Sequence, residues 1–215
     1  MAQKVHVAIV LDRSGSMEDC RTDAIGAVNS YLRQVKNDKD MEASISLVTF
    51  DSQSIDVIRD DVAAGSCQEL GAEEYQPRAS TPLLDAVGHG VALLDRRKTA
   101  GARCILAVMT DGLENASREY TKETIKALLD RKQKEDGWLV LYLGAGHDAW
   151  AQASAMGLHA GNVASFAKQH VGASMAAVGS RGRRYAMAAR PAEEAAAGGF
   201  TAEERAGMSG PGKKS

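Results

Sequence analysis

Two continuous apolar runs that each end in an aspartate constrain the fold most strongly. Residues 5–12 read VHVAIVLD, and residues 103–111 read RCILAVMTD. Strands of a parallel sheet are covered by helices on both faces, so they are apolar throughout instead of alternating with polar residues. Segments with helical periodicity separate these runs from one another. The chain is therefore predicted to be an α/β protein with a doubly wound, mostly parallel central sheet and helices on both faces.

The order of the predicted elements supports this fold class, because strands and helices alternate. Thr81 and Pro82 are expected to be the cap and first residue of a helix, and Gly157 is expected to end one. The short polar strand at 54–59 is expected at an edge, as one antiparallel strand. Strands are predicted at 5–12, 43–50, 54–59, 103–111, 138–143 and 162–166, and helices at 19–36, 81–97, 121–135, up to about 156, and 171–190.

The composition changes at Pro191. Residues 1–190 are predicted to form one domain, whereas residues 191–215 are rich in Ala, Gly, Glu and Lys and are expected to be a flexible tail. Thr201 and Glu204 have the spacing of a capping box, so the alternative is a short docking helix with Phe200 as its anchor.

Charge and hydropathy exclude several classes of function. The net charge is −2 and the isoelectric point is about 6.2, so nucleic acid is not an expected partner. No apolar run approaches the roughly 20 residues of a membrane-spanning helix. Arg181, Arg183 and Arg184 are expected to form a solvated helix face. The three widely spaced cysteines are expected to be free thiols of a reducing, cytoplasmic compartment.

The chemistry is concentrated at the ends of the two apolar strands. If these strands are neighbours, Asp12 and Asp111 both lie at the crevice where doubly wound sheets bind ligands. Two close carboxylates repel each other unless a proton or a cation lies between them. The adjacent hydroxyls of Ser14, Ser16 and Thr81 are hard oxygen donors. Together the five residues predict a site for Mg²⁺ or Mn²⁺ and not for Zn²⁺.

Each part of this pattern also has an ordinary interpretation. Ser16 and Thr81 are both candidates for simple helix caps, and Asp111 with Gly112 for a turn after a strand. The joint occurrence of all the parts at matching ends of elements favours the metal site.

The residues DRSGS at 12–16, Thr81, and TDG at 110–112 resemble the metal-ion-dependent adhesion site (MIDAS) of the von Willebrand factor A (vWA) family. That pattern is D-x-S-x-S, a distant T and then T-D-G, in this order. The resemblance covers residues 4–166. The sequence especially resembles stand-alone intracellular members from bacteria and phages. Those members carry stretches similar to YQPRASTPLLDA and TDGLENAS. Ala79 departs from the pattern, because related members often have glycine there.

The resemblance implies a Rossmann-like vWA fold and a role for each residue. Ser14, Ser16 and Thr81 would coordinate the ion through hydroxyls, and Asp12 and Asp111 would supply charge, often through bound water. One coordination position would remain open for an acidic side chain of a partner protein. Stand-alone members often work beside AAA+ ATPases or in stress and mobile-element systems.

The expected function is that of a non-enzymatic, Mg²⁺-dependent protein-binding module whose partner presents Asp or Glu. Arg13 is expected to be an exposed cation that favours such a partner. Loops 51–54, 75–80 and 114–117 would set specificity. One alternative is a structural component of a larger assembly, for example of a phage or a stress response. Another is a metal-dependent phosphohydrolase with Asp12 as nucleophile, although its DxDxT motif would need an acid at Ser14.

Overall fold

A computed structural model describes residues 2–145 and 148–209 of the chain. Six strands form one sheet in the order β3-β2-β1-β4-β5-β6, and every neighbouring pair is parallel except β2 and β3. The strands are β1 Gln3–Asp12, β2 Met41–Phe50, β3 Ile55–Ala63, β4 Arg103–Thr110, β5 Leu139–Ala145 and β6 Val163–Phe166. The helices are α1 Arg21–Lys36, α2 Leu83–Arg97, α3 Lys122–Lys134, α4 Ala149–Ala155, α5 Val171–Met187, α6 Pro191–Ala197 and α7 Ala202–Ser209.

The two strands that end in aspartates are central neighbours, as the predicted site requires. β1 pairs in parallel with β4, and Leu11 lies opposite Met109. Both strands therefore end at the same edge of the sheet. This edge carries Asp12 at the end of β1 and Asp111 just after β4. The predicted antiparallel edge strand is also confirmed, although β3 continues to Ala63 and contains a register irregularity opposite β2.

Side chains alternate across β1 and divide the core into two layers. Val7, Ile9 and Leu11 face the layer that contains α1 and α5. Ala8 and Val10 face the layer that contains α2, α3 and α4. Every one of these side chains is at most 2% exposed. Helices therefore cover both faces of the sheet, which explains why β1 is continuously apolar from Val7 to Leu11.

The segment after Pro191 differs from the expectation of a flexible tail. Residues 191–209 contain α6 and α7, and Ala195, Phe200 and Met208 are buried against the α1–α5 layer. The alternative of a short helix anchored by Phe200 is the one that the structure adopts. Few apolar residues suffice here because each of them fills a place in a core that the preceding domain already provides. Residues 210–215 lie outside the described residues.

Arginines on α5 hold this C-terminal segment in place. Arg181 is fully buried and donates hydrogen bonds to the side chain and the carbonyl of Glu194. Arg184 pairs with Glu204, which also accepts a hydrogen bond from the Thr201 backbone as the capping box predicts. The expectation of a solvated arginine face is therefore wrong for Arg181.

Two further sequence expectations concern helix ends and cysteines. Gly157 follows α4 with a φ of +75°, the left-handed conformation of a helix stop, as predicted. Cys20, Cys67 and Cys104 are all free thiols. Within residues 2–145 and 148–209, no helix combines the length and the apolar character that crossing a membrane requires.

The packing of the C-terminal segment generates a prediction about stability. Phe200 is 6% exposed, so Phe200→Ala should lower the free energy of unfolding by about 3 kcal/mol because it removes a buried aromatic ring. Urea denaturation of the full chain measures this change. Met187→Ala, at a side chain that is 38% exposed, serves as the control and should cost less than about 1 kcal/mol. Equal stability of Phe200→Ala and the wild type would show that this segment does not pack on the domain.

Candidate functional site

The carboxylate of Asp12 is fixed from two sides. One oxygen accepts a hydrogen bond from the backbone N–H of Ser14 at 2.7 Å, and the other accepts one from the hydroxyl of Thr110 at the end of β4. The side chain is fully buried. Burial raises the pKa of Asp12 from 3.8 to about 6, and the nearby charge of Asp111 acts in the same direction, while the hydrogen bonds from Thr110 and Ser14 partly oppose them.

A chain of hydroxyls joins this carboxylate loop to the second aspartate. The hydroxyls of Ser14 and Ser16 lie 3.2 Å apart, and Ser16 donates a hydrogen bond to Oδ1 of Asp111 at 2.6 Å. Ser14 is buried and Ser16 is exposed. Four of the five predicted site residues are therefore linked in one continuous network: Asp12, Ser14, Ser16 and Asp111.

Thr81, the fifth predicted residue, does not cap α2 as expected. The helix begins at Leu83, with Pro82 at the cap position and no side-chain capping bond. Instead, Glu114 accepts a hydrogen bond from the N–H of Leu84 at 2.9 Å. The backbone N–H of Thr81 donates a hydrogen bond to the side-chain oxygen of Asn115. The backbone N–H of Asn115 donates one to the carbonyl of Thr81 in return. A neighbouring loop thus provides the cap, and the Thr81 hydroxyl remains available for another ligand.

Gly112 brings Thr81 close to the second aspartate. A Cβ atom at Gly112 would lie only 2.7 Å from the Thr81 hydroxyl oxygen, so no side chain fits at this position. Because Gly112 directly follows Asp111, its small size brings the Thr81 loop against the loop after β4. Close packing against Thr81 therefore explains why glycine occupies the third position of the TDG sequence.

Asp111 meets a residue that sequence reasoning missed. The ammonium of Lys168 lies 2.7 Å from Oδ2 of Asp111, whose side chain is only 1% exposed. This contact has the distance of an ion pair but lacks the alignment of a hydrogen bond, and Oδ2 has no hydrogen-bond donor among the described residues. Lys168 follows β6 and belongs to no motif, so only the position of β6 in the sheet brings it to the site.

Tyr75 and Ala79 support the loop that follows β1. The hydroxyl of Tyr75 donates a hydrogen bond to the carbonyl of Asp12, and Tyr75 is fully buried. The carbonyl of Ala79 accepts the N–H of Gly15 at 3.1 Å. Ala79 has a φ of +59°, the left-handed region that favours glycine. Ala79 thus adopts at some steric cost a conformation that glycine, expected from the resemblance, adopts freely.

Arg13 is not the exposed cation that the sequence suggested. It is 6% exposed, and its guanidinium binds Asp51 and Asp56, each at 2.8 Å. Arg78 contacts the same oxygen of Asp51 at 3.0 Å. Burial alone would raise the pKa of Asp51, but hydrogen bonds from Gln53 and the two arginines outweigh it and lower the pKa below 3.8. Arg13 therefore serves to tie the loops together and offers no free charge to a visitor.

The donor set fits a hard divalent cation. The converging groups are two carboxylates and three hydroxyls, with no sulfur or imidazole among them, and Mg²⁺ and Mn²⁺ prefer such oxygen ligands. Oδ2 of Asp111 already faces the ammonium of Lys168 at 2.7 Å, which shows that this buried position attracts a cation. No cluster of three or more His, Cys, Asp or Glu residues suited to a metal occurs in the described part of the chain, so a site here depends on its hydroxyls.

Comparison with solved structures identifies the fold as vWA-like. Proximal thread matrix protein 1 of the mussel byssus matches with a TM-score of 0.59 and 15% identity, over 83% of this chain and 46% of that one. The manganese-loaded TRAP protein of Plasmodium vivax matches with a TM-score of 0.54 and 17% identity, over 80% of this chain and 71% of that one. A von Willebrand factor type A protein from Catenulispora acidiphila matches with a TM-score of 0.55 and 14% identity, over 84% of this chain and 43% of that one.

The matches cover most of this chain but only part of the longer proteins. The chain spans less than half the length of the mussel and Catenulispora proteins. No protein-family model matches the sequence, and no curated protein matches it either. Because the identities are low, the similarity shows the fold alone.

Burial of Asp12 generates a prediction about pH. Between pH 3.8 and about 6 the folded chain keeps a proton that the unfolded chain has released, so stability falls as pH rises through this window. In metal-free buffer, the wild type should lose about 2 kcal/mol of unfolding free energy relative to Asp12→Asn between roughly pH 4 and pH 7. Chemical denaturation across pH measures this loss. Glu18→Gln, at an exposed acid in the same loop, should follow the wild type, and parallel curves for wild type and Asp12→Asn would refute the prediction.

Proposed function

We propose that the chain is a non-enzymatic, metal-dependent protein-binding module. A divalent cation, Mg²⁺ or Mn²⁺, would be held by Ser14, Ser16 and Thr81 together with Asp12 and Asp111. A partner protein would complete the coordination with an Asp or Glu side chain. The observation that carries the proposal is the polar chain between the two aspartates. It runs from Asp12 through the backbone N–H and hydroxyl of Ser14 and the hydroxyl of Ser16 to Oδ1 of Asp111.

The contacts favour a different role for each group. Both oxygens of Asp12 already accept hydrogen bonds, so Asp12 is suited to contribute charge and to bind the ion through water. Ser16 is exposed and lies next to Asp111, which places it toward a visiting ligand. When bound, the ion supplies a positive centre that attracts a carboxylate. Few direct carboxylate ligands would leave that centre strongly electrophilic.

The structural neighbours support a metal at such a site without identifying the ion here. One is the manganese-loaded TRAP protein, and another is proximal thread matrix protein 1 with a zinc-occupied MIDAS motif, matched with a TM-score of 0.54 and 12% identity over 82% of this chain and 47% of that one. The preference for Mg²⁺ or Mn²⁺ in this chain follows from its hard oxygen donors.

The burial of Asp12 favours binding over catalysis. A phosphohydrolase would need this carboxylate to attack a substrate, but Asp12 is 0% exposed and both its oxygens are hydrogen-bonded. A fixed, covered carboxylate is suited to charge stabilisation instead. The partners that the resemblance implies, an AAA+ ATPase or the proteins of a larger assembly, stay predictions, as does the cytoplasmic location.

Metal binding can be tested with Thr81. Thr81→Ala should weaken Mn²⁺ or Mg²⁺ binding by at least about tenfold while leaving thermal stability in EDTA nearly unchanged, because Glu114 and not Thr81 caps α2. Isothermal titration calorimetry measures the affinity. Thr22→Ala, at an exposed threonine of α1, is the matched control and should bind as the wild type does. Absence of metal binding by the wild type would refute the proposal.

Partner binding can be tested in a host-cell lysate. The immobilised chain should retain a protein in Mg²⁺, release it in EDTA and lose it when the site is altered by Asp111→Ala. Mass spectrometry identifies the retained protein, and an excess of acetate or a short acidic peptide should compete with it. A protein that remains bound in EDTA, or that binds Asp111→Ala equally well, would contradict recognition through the metal.

A further inference from the structure

The ammonium of Lys168 occupies a cage of three oxygens beside the candidate metal site. It lies 2.7 Å from Oδ2 of Asp111, donates a hydrogen bond to the carbonyl of Ser16 at 2.6 Å, and lies 3.4 Å from Asp19. Two of these three oxygens belong to carboxylates, which attract the positive charge of the ammonium. The lysine side chain is 29% exposed, whereas the Asp111 side chain beneath it is 1% exposed. Lys168 therefore covers the second aspartate.

This arrangement has a direct consequence for any cation that approaches Asp111. Oδ1 of Asp111 already accepts a hydrogen bond from Ser16, and Oδ2 is in contact with the ammonium. The positive ammonium therefore repels a second cation and contacts the same oxygen that this cation would need.

Hydrogen bonds hold the backbone around Lys168, while its side chain is flexible and 29% exposed. The N–H of Ala167 donates to the carbonyl of Met208 in α7 at 3.0 Å, and the N–H of His170 donates to Ala167 at 2.7 Å. A lysine has a long, flexible stem whose rotamers exchange rapidly where the side chain reaches solvent. Displacement of the ammonium therefore needs only a change of rotamer and no rearrangement of the fold.

We propose that Lys168 is an intramolecular cation that competes with the divalent ion for Asp111 and thereby sets the metal affinity of the site. The inference rests on the proposed function, because it assumes that the ion binds between the aspartates. In the metal-free chain the ammonium neutralises Asp111. When the ion binds, Lys168 leaves Asp111 and turns toward solvent.

Calorimetric titration of the full chain with Mn²⁺ tests the competition. Lys168→Met keeps the length of the side chain but removes its charge, and it should bind Mn²⁺ at least about tenfold more tightly than the wild type. Lys168→Arg keeps the charge and should stay within about threefold of the wild type. Lys134→Met removes an exposed lysine of α3 and should leave the affinity unchanged.

A second measurement follows the lysine itself. Acetylation of Lys168 by an amine-reactive ester, read by mass spectrometry, should be slow in EDTA and faster in saturating Mn²⁺, while acetylation of Lys134 should not change. Equal rates for Lys168 in EDTA and in Mn²⁺ would overturn the displacement.

The outcomes separate this inference from the function on which it rests. If no variant binds Mn²⁺, Lys168→Met included, the proposed function fails and the inference fails with it. If the wild type binds Mn²⁺ and Lys168→Met binds equally or more weakly, only the competition is refuted. If Lys168→Met binds Mn²⁺ and the wild type does not, the competition is supported, because the lysine then blocks the site, but the metal-dependent function proposed for the wild type is refuted.

Discussion

The site depends on one physical constraint, the burial of the Asp12 carboxylate at the carboxyl end of the central strand. A fully buried carboxylate is costly unless its oxygens find donors. Here the donors come from the following loop and from Thr110 on the neighbouring strand, so the bond that compensates the buried charge also joins β1 to β4. The loops that carry the other site residues depart from this junction. The polar edge of the sheet is thus organised around the Asp12 carboxylate, which destabilises the folded chain when it is ionised and no cation is bound.

The second support of the site is the loop after β4, which clamps the beginning of α2. Glu114 and Asn115 bind backbone groups at the start of the helix. In return, Asp85 of α2 accepts N–H groups from residues 118–120. This reciprocal capping satisfies backbone groups that a threonine cap would otherwise serve. The capping by Glu114 leaves the Thr81 hydroxyl for the metal that we propose. The same backbone contacts join Thr81 to the loop that follows the TDG sequence at 110–112.

Some features were predictable from sequence because they depend on local pattern. The apolar runs predicted the strands, the polar run at 54–59 predicted the antiparallel edge, and Gly157 predicted the end of α4. Other features depended on partners far along the chain. Arg13 is buried because Asp51 and Asp56 lie beside it in the fold. The segment after Pro191 is helical and packed because Arg181 and the α1–α5 layer receive it. Composition alone gave no sign of those partners.

The sequence by itself determined the fold class, the identity of the five candidate residues and the hard-oxygen character of the site, because periodicity and residue chemistry are local properties. Only the tertiary structure decided how these groups meet. It linked Asp12 to Asp111 through the backbone N–H of Ser14 and the hydroxyls of Ser14 and Ser16. It also transferred the capping role from Thr81 to Glu114 and brought Lys168 against Asp111. These outcomes follow from the order of strands and the packing of loops at one sheet edge, where residues more than a hundred positions apart, such as Ser16 and Lys168, come into hydrogen-bonding contact.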